Sequence, residues 1–450
     1  MEAGEKGGDF SIAVNSLQDE DFDGQQLPLR EYGRTTKVGL IQRWTPTALL
    51  LSYFVFSIAF YTVLSHHSRK VFWFLYLVIA TIVAGTTCLE TYDGLTPLKE
   101  ARKAVAKADD DGWKFKTSDE ALPTLNLIFD FGDEDVPADL HDITTHLPDD
   151  LPYPSNKVVV NVLRTDNTGS AAVDYVGIDR PSSARIITVP AHAAASIPSR
   201  IAYCLALDAP NAASSITAIF SGNERPHPHA VRRAVERLVQ DKKVDIVQGR
   251  TILVPEKGFF SLLASLEYDM FSALLKPGSS VTWGLSYPND TNAYWRTDAL
   301  HAAATASATV INSGNDLGFM ALGRKARTAH DLKVVSYLPG PTGISSFWTS
   351  QVCMARELAV ATARYTTLAF KGVLKRHKGE KSDAGSKWTF KTRFAILWKL
   401  PVMRLVSHAI VQYFCMAWAI LFTNAPSSTA DFARTIYFPY PISEWLIIIG

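Results

Sequence analysis

Closely spaced cysteines are missing from this chain. Its four, Cys88, Cys204, Cys353 and Cys415, are far apart in 450 residues, which excludes the paired spacing of a zinc site or redox motif. They read as buried or membrane-facing thiols. Net charge is also scarce: 45 Lys and Arg against 44 Asp and Glu leave +1. That balance argues against a nucleic-acid partner, because affinity for phosphate backbones comes from basic excess. The acidic stretch "FDFGDEDVPADLHD" lacks the ligand spacing of a calcium loop.

Long hydrophobic runs are what the chain does have. Pro46 to Leu64 carries no charge, and neither does Val71 to Leu89. Each approaches the roughly 20 residues needed to cross a bilayer core. Only "SHHSRK" separates them, so a tight helical hairpin is expected. A third run, Leu405 to Phe422, has His408 and Gln412 as polar members, which suit hydrogen bonds between helices. The final "EWLIIIG" reads as a re-entrant piece or as the start of a truncated fourth span. Basic residues before the first run (Arg34, Lys37, Arg43), after the second (Lys99, Arg102, Lys103) and before the third (Lys387, Lys391, Arg393, Lys399) place the tail and central region in the cytosol. The sequon at Asn289 would then face the wrong compartment for glycosylation.

The expected organisation is a disordered cytosolic tail (1–40), a two-helix transmembrane hairpin (41–92), a cytosolic domain (93–370), a basic linker and interfacial segment (371–400) and a C-terminal transmembrane region (401–450). Within the central domain, "TLNLIFDF", "KVVVNVL", "ARIITV", "SITAIF" and "VDIVQGR" read as buried strands, and "AVRRAVERLVQD" as an amphipathic helix. Strands alternating with helices predict an α/β fold: a mostly parallel sheet with helices on both faces. Ligands bind such sheets beyond the carboxyl ends of the strands, so the loops after "IFDF", "VNVL" and "TAIF" are the places to look.

The wording of several segments is similar to one family. "FSGNERPHPHAVRRAVERLVQDKKVDIVQGR", "NAYWRTDAL", "NDLGFMALGRKARTAHDLKVVSY" and "WTSQVCMAREL" follow each other in the order of the motifs of membrane-embedded family-2 glycosyltransferases, such as hyaluronan-synthase-like and fungal cell-surface enzymes. The resemblance runs from the N-terminal hairpin through the third span. It implies a nucleotide-sugar-transferase (GT-A type) fold, a UDP-sugar donor, a Mn or Mg ion, and a glycan or lipid acceptor at a plasma, Golgi or endoplasmic reticulum membrane. It also implies that Asn292, Tyr294, Trp295 and Arg296 shape the acceptor side of the pocket, joined by Gln351.

The chemistry departs from the family. Where its F-D-A-D acids hold the cation, this chain has Ser221 and Asn223, whose neutral oxygens ligate a hard cation weakly. Glu224 is one residue further on and reads as a solvated loop carboxylate before a substitute ligand. Aligned on "DLG", the family's E-D pair, which includes the general base, falls on Ser313 and Gly314, and glycine offers no proton acceptor. Asp316 remains, as a first-turn or capping acid of a helix before a replacement base. Of W-x-x-Q-R-x-R-W only Trp348 and Gln351 persist. Asp166 and Asn167, after the second strand, could still touch a base or ribose. Arg200 reads as a surface arginine before a stand-in for the family's lysine. His227 and His229 suit a turn and helix start better than a metal.

Two expectations follow. One is an enzyme with a rebuilt site around Asp166, Glu224 and Asp316, serving synthesis of a cell-surface or cell-wall glycan or glycolipid, with ordinary metal-dependent transfer weakened or lost. The other is a pseudo-glycosyltransferase that scaffolds or regulates an intact paralogue.

Overall fold

A computed structural model describes residues 51, 55, 66–132, 151–166, 172–176, 184–190, 196–207, 215–255, 258–289, 291–308, 316–370, 389–403 and 427–428. Helix α1 (His66–Asp111) leads through a short connection to strands β1 (Leu125–Gly132), β2 (Val158–Asp166), β3 (Ala172–Val176) and β4 (Ala184–Pro190). Helix α2 (Ile197–Leu207) follows, then β5 (Ile216–Ser221), β6 (Arg225–Pro226), α3 (Pro228–Gln240) and β7 (Ile246–Val254). A nearly continuous helical stretch comes next: α4 (Phe259–Asp269), a π turn (Met270–Leu275) and α5 (Lys276–Trp283). The chain closes with β8 (Ala293–Arg296), α6 (Thr297–Ala308), α7 (Asp316–Gly323), β9 (Thr328–Pro339), α8 (Ile344–Tyr365) and α9 (Phe390–Leu397). All five strands and the helix expected from the hydrophobic pattern are present.

The strands form one sheet in the order β3-β4-β2-β1-β5-β8-β7-β9-β6. Pairs β1/β2, β1/β5, β2/β4 and β7/β9 are parallel, whereas β3/β4, β5/β8, β7/β8 and β6/β9 are antiparallel. The expectation of a mostly parallel sheet is therefore corrected to a mixed one. The central departure is β8. A parallel neighbour needs a crossover back to the opposite end of the strand, but the excursion through α4 and α5 leaves and re-enters at the same end of the sheet, so β8 enters antiparallel to β7.

Side chains alternate along the strands and feed two cores. Phe129, Phe220 and Tyr294 pack with Ala230, Val231, Val235 and Leu238 of α3. Their neighbours Ile128, Ile219 and Trp295 pack on the other face against Ile201 of α2, Leu300 of α6 and Leu317 of α7. Helices thus cover both faces, as the sequence pattern implied.

The apolar run from Val71 to Leu89 forms the first half of α1, which continues unbroken to Asp111. The runs at 46–64 and 405–422 lie outside the described residues. Among the described residues no helix is long and apolar enough to cross a membrane. Buried Glu90 anchors α1: it accepts Trp283 Nε1 at 2.7 Å and Lys399 Nζ at 2.8 Å, while Trp398 Nε1 donates to Thr86 Oγ1 at 3.1 Å.

Between α1 and β1 the chain is strapped to α3. Glu236 accepts the backbone N–H groups of Lys116 and Thr117 at 2.8 and 2.7 Å. Arg232 donates to Asp119 Oδ1 and to the Thr117 carbonyl at 2.7 and 2.6 Å. The Trp113 ring stacks on His229, 5.5 Å between centroids. The R-P-H-P-H motif is thereby a structural device: Pro228 opens α3, where its missing N–H costs nothing, and the flanking imidazoles receive the strap.

Candidate functional site

In chain order the sheet grows from β1 outward to β2 and β4, then turns back to the other side of β1 with β5. This reversal is the topological switch point, and the crevice beyond the carboxyl ends of β1 and β5 is where such sheets take ligands. Asp130 and Ser221 are direct partners in the register there, and Asp166 ends β2 one strand away. The Gly222 N–H donates to the Asp130 carbonyl at 2.9 Å, so the turn after β5 lies across the end of β1. A methyl group on Gly222 would overlap the Phe131 ring, which explains the glycine.

Asp130 is not an isolated carboxylate. Arg200, in the first turn of α2, donates from Nε to Oδ1 at 2.8 Å and from Nη2 to Oδ2 at 2.6 Å. The Gly132 N–H adds a bond to Oδ1 at 3.2 Å. The two side chains are 12% and 7% exposed. The expectation of a surface arginine is thus corrected: the Asp130 carboxylate near the end of β1 holds it in a largely buried pair.

Ser221 is half-buried at the end of β5, and Asn223 is exposed in the turn. Glu224 points inward, with no exposed surface. Its carboxyl accepts the Ser336 hydroxyl at 2.5 Å, the Thr251 hydroxyl at 2.9 Å and the Ser221 N–H at 3.2 Å. Burial raises its pKa, against the opposing effect of bonds from Ser336, Thr251, Ser221 and Thr291. The solvated carboxylate expected from sequence is corrected to an internal tie joining the loop, β7 and β9. A turn bond from the Glu224 N–H to the Ser221 carbonyl, 2.9 Å, closes the loop.

Asp316 begins α7 and is fully buried. It accepts the Tyr365 hydroxyl at 2.8 Å and pairs with Arg364 at 3.1 Å. Burial first, then the bond and charge of Asp316, drive the Tyr365 hydroxyl pKa upward. Asp316 thus anchors the end of α8, the first-turn role that the sequence favoured. The structure does not bring Asp316 and Glu224 together as an acid–base pair: each is consumed by its own internal bonds.

The residues expected on the acceptor side are held in internal contacts. Tyr294 and Trp295 are wholly buried, one in each core, and burial raises the Tyr294 pKa, assisted by the Glu224 charge. Arg296 donates from Nη2 to the Leu238 carbonyl at 2.7 Å and from Nε to the Val244 carbonyl at 3.0 Å, capping the end of α3. Asn292 is buried at φ 49° beside β7, where its Nδ2 donates to the Val334 carbonyl at 3.3 Å. In V-Q-G-R, Gln248 fixes this loop, donating to the Thr291 carbonyl and accepting the Asn289 N–H at 3.0 and 2.6 Å. Arg250 pairs with Asp269 at 2.8 Å. Gln351 donates to Glu267 at 2.6 Å, tying α8 to α4. Asn167, Ser313 and Gly314 lie outside the described residues.

Neutral Ser221 and Asn223, an inward Glu224, and an Asp130 already paired with a guanidinium do not suit a divalent cation, which needs several anionic oxygens. Among the described residues no group of three or more His, Cys, Asp or Glu could hold a metal. Sequence reasoning did not single out Asp130 and read Arg200 as a surface residue, so the pair they form went unforeseen. The available signal was an acid near the end of a buried strand, since Asp130 directly follows Leu127, Ile128 and Phe129, three apolar residues with no exposed surface.

No protein-family model matches the chain, and no curated protein does. Among solved structures it matches the mannosyltransferase PcManGT from Pyrobaculum calidifontis in complex with GDP-Man and Mn2+. The TM-score is 0.41 and the identity 13%, over 82% of this chain and 95% of that one.

Proposed function

We propose that this chain is a membrane-anchored, glycosyltransferase-type protein that takes a nucleotide sugar in the crevice between β1 and β5. Ordinary metal-dependent transfer is weakened or lost. The observation that carries the reading is the pairing of Asp130 with Ser221 at the switch point, in a loop context that follows the order of family-2 glycosyltransferase segments. Glu224 and Asp316 are held in internal bonds and unavailable to a donor or acceptor. Loss of a positioned general base by itself forfeits about 100- to 10,000-fold in rate.

Membrane attachment is part of the same proposal. It is supported by the bonds from Trp398 and Lys399 to Thr86 and Glu90, which join the residues preceding the apolar sequence at 405–422 to the end of the apolar run at 71–89. The domain would face the cytosol at a plasma, Golgi or endoplasmic reticulum membrane, beside a glycan or lipid acceptor. A second reading, a pseudo-glycosyltransferase scaffolding an intact paralogue, is favoured by the fully buried Asp316.

The test is calorimetric titration of the detergent-purified chain with UDP and UDP-sugars, alongside a transfer assay. Binding with transfer near background is expected. Robust manganese-dependent transfer would overturn the reading.

A further inference from the structure

Helix α4 turns its apolar side outward. Phe259, Leu262, Leu263, Leu266 and, in the π turn, Met270 recur at helical spacing and are all exposed, Phe259 by 71% and Leu266 by 66%. Ser261 and Ala264, on the opposite side of the helix, are the residues it buries. This inverts the usual arrangement of a surface helix, which shows its polar side to water. Helix α8 extends the face. Phe347 meets Phe260, 5.7 Å between ring centroids, and Gln351 donates to Glu267, so the two helices lie side by side. Ile344 and Trp348, one turn apart on α8, are exposed as well. An exposed apolar face of this kind marks an interaction surface.

The occupant is indicated by α1. Its outer stripe runs Leu89, Tyr92, Leu95, Lys99, Arg102 at intervals of three or four, all exposed: apolar first, then basic. Lys103 adds to the basic end, which stays net positive despite Glu100. A helix that passes from hydrocarbon into anionic headgroups carries this order, with an aromatic ring near the boundary. Helix α4 joins α1 at the basic end, where Arg102 pairs with Asp269 at 3.5 Å. The π turn that follows packs so closely on α1 that a Cβ on Gly94 would overlap the Leu274 backbone.

We propose that the face made by α4 and the first turns of α8 lies on a lipid bilayer, with its apolar side chains among the acyl chains and Lys99, Arg102 and Lys103 at headgroup level. The inference rests on the membrane attachment given above and adds a second contact to it. Both acids of α4 are already bonded, Glu267 to Gln351 and Asp269 to Arg250 and Arg102, so neither opposes an anionic surface with a free charge. An amphipathic helix with aromatic and leucine side chains on one face and basic residues beside it is the form that settles in a bilayer interface. Contacts along α1 and along α4 and α8 hold the domain in one orientation on the bilayer.

The test uses the full-length chain reconstituted into vesicles of phosphatidylcholine and phosphatidylserine. The photo-crosslinking residue p-benzoylphenylalanine replaces one side chain at a time: Leu266 or Trp348 on the face, Ile82 in the apolar run of α1, or Lys242 in the turn before β7, at the far end of that strand from α4. All four side chains are exposed, so the larger residue disturbs no core. Irradiation should give lipid adducts at Leu266 and Trp348 in a yield comparable with Ile82, and the adducts should be lost at Lys242. Adducts at Ile82 that are missing at Leu266 or Trp348, or matched at Lys242, overturn this inference and leave membrane attachment standing. A crosslink between two copies of the chain at Leu266 or Trp348, in place of lipid, overturns it in favour of a protein interface. Absence of lipid adducts at every position overturns membrane attachment and this inference with it.

Discussion

Glu224 and Ser336 share a 2.5 Å hydrogen bond that ties the loop after β5 to the middle of β9. Together with Thr251 and the Ser221 N–H it encloses the loop's sole carboxylate. Replacing Glu224 with alanine strands three donors, at a cost of about 2–4 kcal/mol. Glutamine fits if its amide turns so that the oxygen faces the Ser221 N–H and the two hydroxyls accept. Chemical denaturation should therefore rank Glu224→Gln close to the parent and Glu224→Ala well below it.

The same group sets a pH dependence. Its folded pKa is raised by burial above the ordinary 4.5, so the folded state keeps a proton that the unfolded chain releases. This contribution is fully present below 4.5 and is lost as pH rises through the folded value. Denaturation between pH 4 and pH 8 should show Glu224→Gln gaining on the parent as pH rises; parallel curves would contradict the assignment.

Gly222 and Phe131 form a second interlock. Gly222→Ala should overpack against the ring and cost about 1–3 kcal/mol. Adding Phe131→Ala should recover part of that loss, which a double-mutant cycle reads directly. Additive effects would show that the two residues do not meet.

Asp316 is expected to matter for stability and not for ligand. Asp316→Ala removes partners from Tyr365 and from Arg364, whose side chain is 30% exposed. The cost should be about 2–4 kcal/mol, somewhat below that of breaking a fully buried pair. UDP affinity of the folded variant should be unchanged; a selective loss of affinity would return Asp316 to the site.

The strap between α1 and β1 offers a proteolytic readout. Glu236→Ala frees the N–H groups of Lys116 and Thr117. Limited proteolysis should then cut near these residues faster than in the parent, while the sheet stays intact. An unchanged digestion pattern would mean that Arg232 and the Trp113 stack hold the strap by themselves.

Much of the frame was legible in the sequence. Runs such as "TLNLIFDF" and "SITAIF" are apolar on both faces because helices cover both sides of the sheet, and that doubled burial is what a continuous hydrophobic run encodes. The direction of β8 was not legible. Whether "NAYWR" runs with its neighbours or against them depends on where the excursion through α4 and α5 returns, which no local pattern records. The charges near the strand ends were misread by environment. Glu224 looked solvated because loop carboxylates usually are, but its burial comes from Thr251 and Ser336, 27 and 112 positions away.

By itself the sequence determined which segments become strands and helices, because periodicity and turn residues act locally. It also determined that neutral Ser221 and Asn223 follow the apolar run "SITAIF" and that Gly314 stands two residues before Asp316, since that is a matter of residue identity. Only the tertiary structure decided which surviving charges face the crevice. Asp130 and Arg200 meet there across 70 positions of chain, while Glu224 and Asp316 turn inward. The physical reason is that a side chain's charge, exposure and partners depend on long-range neighbours, and these exist only once the sheet has formed.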